Sequence, residues 1–420
     1  MRDVTVIADD LTGAADCGIA FTIAGLPTFV AVGETAPAAA QIVAVDIDSR
    51  RLAPGLAAER ARVAALRAIR QGSRALYKKI DSTLRGNVGP ELAATFQVAV
   101  DAARGPRPIA VVAPAFPATG RITREGRVLV GGVPLEETEV WRASGMAGPA
   151  DIVAMLRLAG LRAAAVRRDG VRAGAEALAG TFGQLSASGI DAVVCDAEDE
   201  DDLARIAHAG ARAGAPVVWV GSAGLARHLP AALGLHRDEA APGPCLEERD
   251  GPALLLVGSR SRVAREQAER VAAEPGVAAI AVAPEVLLEG ERGSDWAAIA
   301  AALRNALSSG RDVVLLTGLE TTVELDCGAD LAAAFGRLAA GHAAGLRGLV
   351  ATGGDVARAA LAALGAGGLH LAGEVEPGVP IGTTDTAPAL QVITKAGAFG
   401  TPSTLQRCRA ALGRKLPGRP

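Results

Sequence analysis

Residues 75–92 read ALYKKIDSTLRGNVGPEL, and this stretch decides the fold. Its apolar opening predicts a buried strand and its PEL end predicts the start of a helix, which pins residues 78–89 at a strand-to-helix corner. Two lysines, a carboxylate, two hydroxyls, an arginine and two glycines are crowded there. In an open α/β sheet such corners are where ligands bind. The chain opens on the same arrangement, because the strand VTVIA (4–8) ends in Asp9 and Asp10 and runs through LTGAAD into a second helical segment. Acidic strand ends beside an Arg/Ser/Thr cluster point to a small, hydroxylated, anionic ligand.

Outward from these corners, short apolar runs alternate with longer Ala/Leu/Arg-rich segments, the pattern of parallel-sheet α/β construction. In the first half the strand candidates are VTVIA, TFVAV, IVAVDI, ALYKKI, IAVVAP, AAAV, AVVCD and VVWVG. Between them lie amphipathic stretches such as LAAERARVAALRAIR (56–70), with apolar residues at spacings of three and four. The pattern stops at HRDEAAPGPCLEERDGP (236–252), whose prolines, glycines and charges predict a linker. It restarts with ALLLVG, AAIAVA, DVVLLTG, GLVATGG and LQVITKAG. A chain of 420 residues exceeds what one core usually supports. The expected fold is therefore α/β, in two lobes with largely parallel sheets: residues 1–238 binding the substrate and residues 250–420 forming the second domain, with a cleft between them.

Half of the residues are apolar but only 3% are aromatic, so Ala, Val and Leu must fill the cores. A net charge of −3 argues against a nucleic-acid partner, which needs a clustered basic surface. The one basic concentration, Arg407, Arg409, Arg414, Lys415 and Arg419, reads as a solvated tail. The opening MRDVTVIADD carries acids where a signal peptide needs an apolar stretch, and no apolar run is long enough for a membrane span. Five scattered cysteines lack a C-x-x-C pair and read as reduced. The expected location is the cytoplasm, with homo-oligomerisation left open. The five histidines show no metal spacing.

Within the first half, one of Asp9 and Asp10 is expected to cap the next helix and the other to act on a ligand, with Asp10 favoured for the chemistry, because adjacent strand-end side chains point apart. Arg50 and Arg51 follow a third strand end. A guanidinium there suits a carboxylate, which it grips with two parallel charged hydrogen bonds. Asp81, Ser82, Thr83 and Arg85 offer an acceptor, two hydroxyls and a guanidinium; a turn motif accounts for Asp81 and Ser82 but leaves Arg85 unexplained. Lys78 and Lys79 must face opposite sides of their strand. Arg121 contacts either substrate or its own surroundings. In the second half, glycines and hydroxyls recur at strand-to-helix turns, where free backbone N–H groups favour phosphate. These are Ser259, then Thr352, Gly353, Gly354 and Asp355, then Lys395 and Gly397. No GxxxxGK[ST] loop or protein-kinase motif set is present.

The motifs ADDLTGAAD (8–16), KIDSTLRGN (79–87), APAFPATGRIT (113–123), LLLVGSRS (254–261), LLTG (315–318), ATGGD (351–355), GVPIG (378–382) and ITKAGAFG (393–400) occur in that order. Together they resemble the four-carbon acid sugar kinases, the family of threonate, erythronate and 3-oxo-tetronate kinases. The resemblance implies an ATP- and Mg²⁺-dependent transfer to the terminal hydroxyl of a sugar acid, giving a 4-phospho acid. It also implies acid binding in the first lobe through Arg51, Asp81, Ser82, Thr83 and Arg85, with catalysis from Asp9 or Asp10. Nucleotide binding is implied at Ser259, Thr352, Gly353, Gly354, Asp355, Lys395 and Gly397, Lys395 neutralising phosphate charge and Asp355 either capping a helix or reaching Mg²⁺ through water. The metal ligands themselves stay unassigned. VPLEET (133–138) looks more like the threonate and erythronate members than the 3-oxo-tetronate ones. The alternatives are an oxo-acid kinase and a non-catalytic binding protein; an oxidoreductase lacks its G-x-G-x-x-G fingerprint.

Overall fold

The computed structural model describes residues 2–33, 36–37, 40–146, 148–236, 248–259, 261–318 and 328–414. Along the first 241 residues the strands are β1 (Val4–Ala8), β2 (Thr28–Val32), β3 (Ile42–Asp46), β4 (Ala75–Lys79), β5 (Ile109–Ala113), β6 (Arg121–Arg124), β7 (Arg127–Val130), β8 (Val133–Pro134), β9 (Ala163–Val166), β10 (Ala192–Cys195) and β11 (Val217–Gly221). The chain then continues with β12 (Ala253–Val257), β13 (Val277–Val282), β14 (Asp312–Thr317), β15 (Gly348–Thr352), β16 (Gly368–Glu376), β17 (Val379–Thr384) and β18 (Gln391–Lys395). It divides into two compact units: residues 1–28 with 39–241, and residues 29–38 with 242–420.

The first unit carries seven strands in the order β3-β1-β4-β11-β5-β10-β9, every neighbouring pair parallel. Every residue of β1, β5 and β10 is buried, as a sheet covered on both faces requires. Alanine does much of the covering. The helix Pro54–Arg70 buries Ala57, Ala61, Ala65 and Ala68, a seam at spacings of four, four and three, and it packs with Ile7, Leu76 and Val98. A larger cluster around Leu92, Phe96, Val112, Val194 and Val220 completes the core. A small antiparallel sheet, β6-β7-β8, was not foreseen from its short, charged segments.

In the second unit the order is β13-β14-β12-β15-β18-β17-β16-β2. The first five strands are mutually parallel, whereas β17, β16 and β2 join antiparallel. TFVAV, read as a strand of the first half, thus pairs as β2 with Gly368–His370 of β16. The core joins Leu255, Val257, Ala264, Val271, Val314, Val350, Ile393 and Leu405.

The C-terminal arginines are not all solvated. The helix Thr404–Ala411 buries Leu405 and Cys408, which carries Arg407 onto Glu376 (Nε to Oε2, 2.6 Å) and Arg409 onto Asp312 (Nε to Oδ2, 2.6 Å). Arg414 is exposed, and Lys415 and Arg419 lie outside the described residues. So do Cys245, Cys327 and the middle of the expected linker. Among the described residues Cys17, Cys195 and Cys408 are buried free thiols, and no helix is long and apolar enough to cross a membrane.

Candidate active site

Parallel register brings the C-terminal ends of β1, β3 and β4 level, with Ala8 opposite Asp46 and Ile7 opposite Lys78. Asp9 and Asp10 follow β1, Arg50 follows β3, and Asp81 to Arg85 follow β4. Arg50 is the hub. Its Nε and Nη2 donate to Asp9 Oδ2 (2.6 Å) and Oδ1 (3.0 Å), while Nη1 donates to Asp10 Oδ2 (2.6 Å). Contrary to the expectation that the two carboxylates face apart, one guanidinium fork therefore holds both. The strand ends before them, and Asp10 has already turned to cap the helix Leu11–Ile23, accepting Gly13 N–H at 2.8 Å and the Thr12 hydroxyl at 2.8 Å.

Asp81 is gripped by Arg85 in the same bidentate way, at 2.8 and 2.9 Å, and also accepts the Thr83 amide (3.2 Å) and hydroxyl. Arg50 Nη2 stands 3.9 Å from Asp81 Oδ1, which ties the two ion-pair groups together. Gly86, at φ +86°, closes the loop over them. A Cβ there would lie 3.0 Å from Asp9 Oδ2 and 3.5 Å from Arg50 Cγ, so only glycine lets the backbone pass in this conformation.

The lysines separate as strand alternation requires. Lys78 is fully buried against Glu91 (2.7 Å), whose other oxygen accepts the Ser49 hydroxyl at 2.7 Å; Nζ also donates to the carbonyls of Ile7 and Lys79. It staples strands and helix. Lys79 faces the acidic cluster: burial pulls its pKa down, but Asp9, Asp10 and Asp81 more than offset this and raise it. Burial likewise pushes Asp9 and Asp81 up, yet the cations win. Arg50 and Lys79 hold Asp9 below the ordinary carboxylate value, and Arg85, Arg50 and Lys79 hold Asp81 well below it. Of the substrate-binding candidates the structure brings Asp81, Thr83 and Arg85 to this cluster, with Ser82 in the same turn. Arg51 is exposed, and its neighbour Arg50 occupies the centre.

In the second unit, β12, β15 and β18 are parallel neighbours, with Val257 opposite Thr352 and Thr352 opposite Lys395. The nucleotide candidates therefore gather at the C-terminal ends of three neighbouring strands. Ser261, rather than Ser259, caps the helix Arg262–Ala272, accepting Ala264 N–H at 3.2 Å. Ser259 turns toward Gly397 instead: a Cβ at Gly397 would sit 2.4 Å from Ser259 Oγ, so a side chain there would displace the hydroxyl. Gly353 donates its N–H to Lys395 O at 2.7 Å and lies at φ +99° with open space where a side chain would be. Asp355 stands in the first turn of the helix Gly354–Ala363. Thr352 is fully buried, and its Oγ1 has no hydrogen-bond partner among the described residues.

Lys395, expected to neutralise phosphate charge, is engaged with its own loop. It is fully buried, and its Nζ donates to the carbonyls of Ala396 (2.9 Å), Gly397 (3.2 Å) and Phe399 (2.9 Å). All three N–H groups are spent on shaping the loop that follows β18. Gln267, which no sequence signal singles out, helps by donating to the carbonyls of Phe399 (3.1 Å) and Thr401 (2.8 Å).

Residues 4–229 match the family model of a sugar-binding N-terminal domain and residues 254–405 that of a nucleotide-binding C-terminal domain. The chain is 44% identical over 408 residues to the D-threonate kinase of Cupriavidus necator, covering 95% of each chain. It is 31% identical to the 3-oxo-tetronate kinase of the same organism, covering 97% of this chain and 96% of that one. A solved structure from Salmonella typhimurium LT2 shares the fold, with a TM-score of 0.80 at 24% identity over 98% of this chain and all of that one. With carboxylate–guanidinium clusters at the strand ends of a sugar-binding domain and glycine–hydroxyl turns in a nucleotide-binding one, the chain belongs to the four-carbon acid sugar kinase family.

Proposed function

We propose that the protein transfers the γ-phosphoryl group of ATP to the terminal hydroxyl of D-threonate, releasing ADP and a 4-phospho acid. The observation that carries the substrate is the 44% identity to a D-threonate kinase over 95% of both chains. The first unit holds the acid, its hydroxyls met by Asp81, Ser82, Thr83 and Arg85, with Arg51 at the rim. The second unit holds the nucleotide through Ser259, the Thr352–Gly353–Gly354 turn and Gly397. The unpartnered Thr352 hydroxyl and the open space at Gly353 suit a phosphate oxygen approaching closely. Mg²⁺ enters with the nucleotide and neutralises phosphate charge, Asp355 being the acid placed to reach it through water.

Asp10 is the better placed general base. Both carboxylates are hydrogen-bonded, but the Asp10 side chain is 14% exposed against 5% for Asp9, and its Oδ1 accepts only the Gly13 N–H. As the acceptor oxygen bonds to phosphorus its proton passes to the Asp10 carboxylate, and the phosphorus–oxygen bond to ADP breaks. Asp9 fixes Arg50, and Arg50 fixes Asp10. The test is ADP release over D-threonate, D-erythronate and 3-oxo-tetronate, with and without Mg²⁺. D-Threonate is expected to give the highest kcat/KM and only with the metal. Preference for 3-oxo-tetronate would overturn the substrate, and ADP release independent of any acid would overturn the reaction.

A further inference from the structure

Two of the three guanidinium groups around Asp81 are spent: Arg50 on Asp9 and Asp10, Arg85 on Asp81. Arg121 is not. Its backbone is locked to the turn that follows β5, with Phe116 N–H donating to Arg121 O at 2.7 Å and Arg121 N–H to Phe116 O at 3.2 Å. Its side chain is half-buried, and Nη1 donates to the Thr119 hydroxyl at 2.8 Å. Its Nε is buried with no hydrogen-bond partner among the described residues. A guanidinium carries five N–H donors and keeps its charge, so an unmatched buried N–H is a standing cost unless a ligand supplies the acceptor. Burial lowers the pKa of Arg121, while Asp81 and Asp16 attract its charge and Arg85 repels it, which places the group in the field of the same cluster. Asp81 is not free to answer that charge, for both of its oxygens are already held by Arg85. Asp16 attracts Arg121 as well, but neither it nor Asp81 supplies an acceptor to the buried Nε.

We propose that Arg121 receives the carboxylate of the sugar acid and so selects acids over neutral polyols, an inference that rests on the sugar-acid kinase reading. The planar fork suits a carboxylate, and the contact completes donors that the free protein leaves unused. Steady-state ADP release decides it, with D-threonate set against D-threitol, which has CH₂OH in place of the carboxylate. Arg121→Gln should raise the KM for D-threonate by about 10- to 150-fold, the loss of one charged hydrogen bond. It should leave kcat/KM for D-threitol within about twofold, so that discrimination between the two collapses. Arg121→Lys, which keeps the cation, should fall between wild type and Gln, and it decides the matter if the Gln variant does not fold. An unchanged KM for D-threonate, or equal losses on both acceptors, overturns the role of Arg121 alone. A wild-type enzyme that releases no ADP with any four-carbon acid overturns the functional reading and the carboxylate assignment with it.

Discussion

Asp9 and Asp10 share Arg50 but not their other partners, and that difference separates their roles. Asn caps a helix about as well as Asp but is no base at neutral pH. Asp10→Asn keeps the cap but gives up a charged bond to Arg50, so it is expected to lower the melting temperature less than Asp9→Asn while losing ~10²–10⁴-fold in kcat. Asp9→Asn breaks a buried bidentate pair and should destabilise the fold by about 3 kcal/mol, seen as a lower melting temperature. If Asp10→Asn retains near-normal kcat, the base lies elsewhere and Asp81 is next. Acid should expose the same pairing. The folded-state pKa values of Asp9 and Asp81 lie below their ordinary value near 3.8, so their stabilisation is complete above that pH and is lost as pH falls through the lowered values. Loss of stability below about pH 4 should shrink in Asp9→Asn, measured by thermal melts. At this scale the sequence was half legible. Alternation separated Lys78 from Lys79 because both lie within β4, but it misjudged Asp9 and Asp10 because β1 stops at Ala8 and backbone geometry takes over. Nothing in the dipeptide Arg50-Arg51 told which arginine turns inward.

The loop after β18 shows how an element can depend on one buried amine. Lys395→Met would leave three loop carbonyls without their donor, at about 1–3 kcal/mol for each group left unsatisfied. ADP affinity should fall while the KM for the acid stays near wild type; unchanged ADP binding by calorimetry would show that the loop does not serve the nucleotide. Burial brings the pKa of Lys395 from 10.5 to about 8. Between those values the unfolded chain binds more protons than the folded one, so the wild type should gain stability relative to Lys395→Met as pH rises through that window. Strands of unbroken apolar character, such as β5 and β12, were readable because burial on both faces leaves no alternation to confuse. By contrast β16 and β17, GLHLAGEVE and VPIGTT, mix glycine, charge and apolar residues, and only their antiparallel pairing makes them strands. Ser259 and Ser261 are equivalent in local propensity, so only the structure shows that Ser261 is the cap.

For the whole molecule, the division into two units was legible from the interruption after residue 236, but the trade of residues 29–38 to the second unit was not, since it depends on pairing more than 300 positions away. Without β2, the Gly368–His370 edge of β16 is left with unpaired backbone groups, a template for self-association. Residues 248–420 produced alone are therefore expected to bind ADP yet associate, and a peptide of residues 26–37 should return them to monomers in sedimentation velocity. Monomers without the peptide would show that the strand is dispensable. If one unit serves the acid and the other the nucleotide, the KM values for the two substrates move independently. Arg85→Ala should raise the KM for D-threonate by about 10- to 150-fold with little change for ATP. Thr352→Val, which removes a buried hydroxyl that has no partner, should keep or raise stability and increase the KM for ATP alone. Parallel shifts of both KM values in both variants would contradict the division.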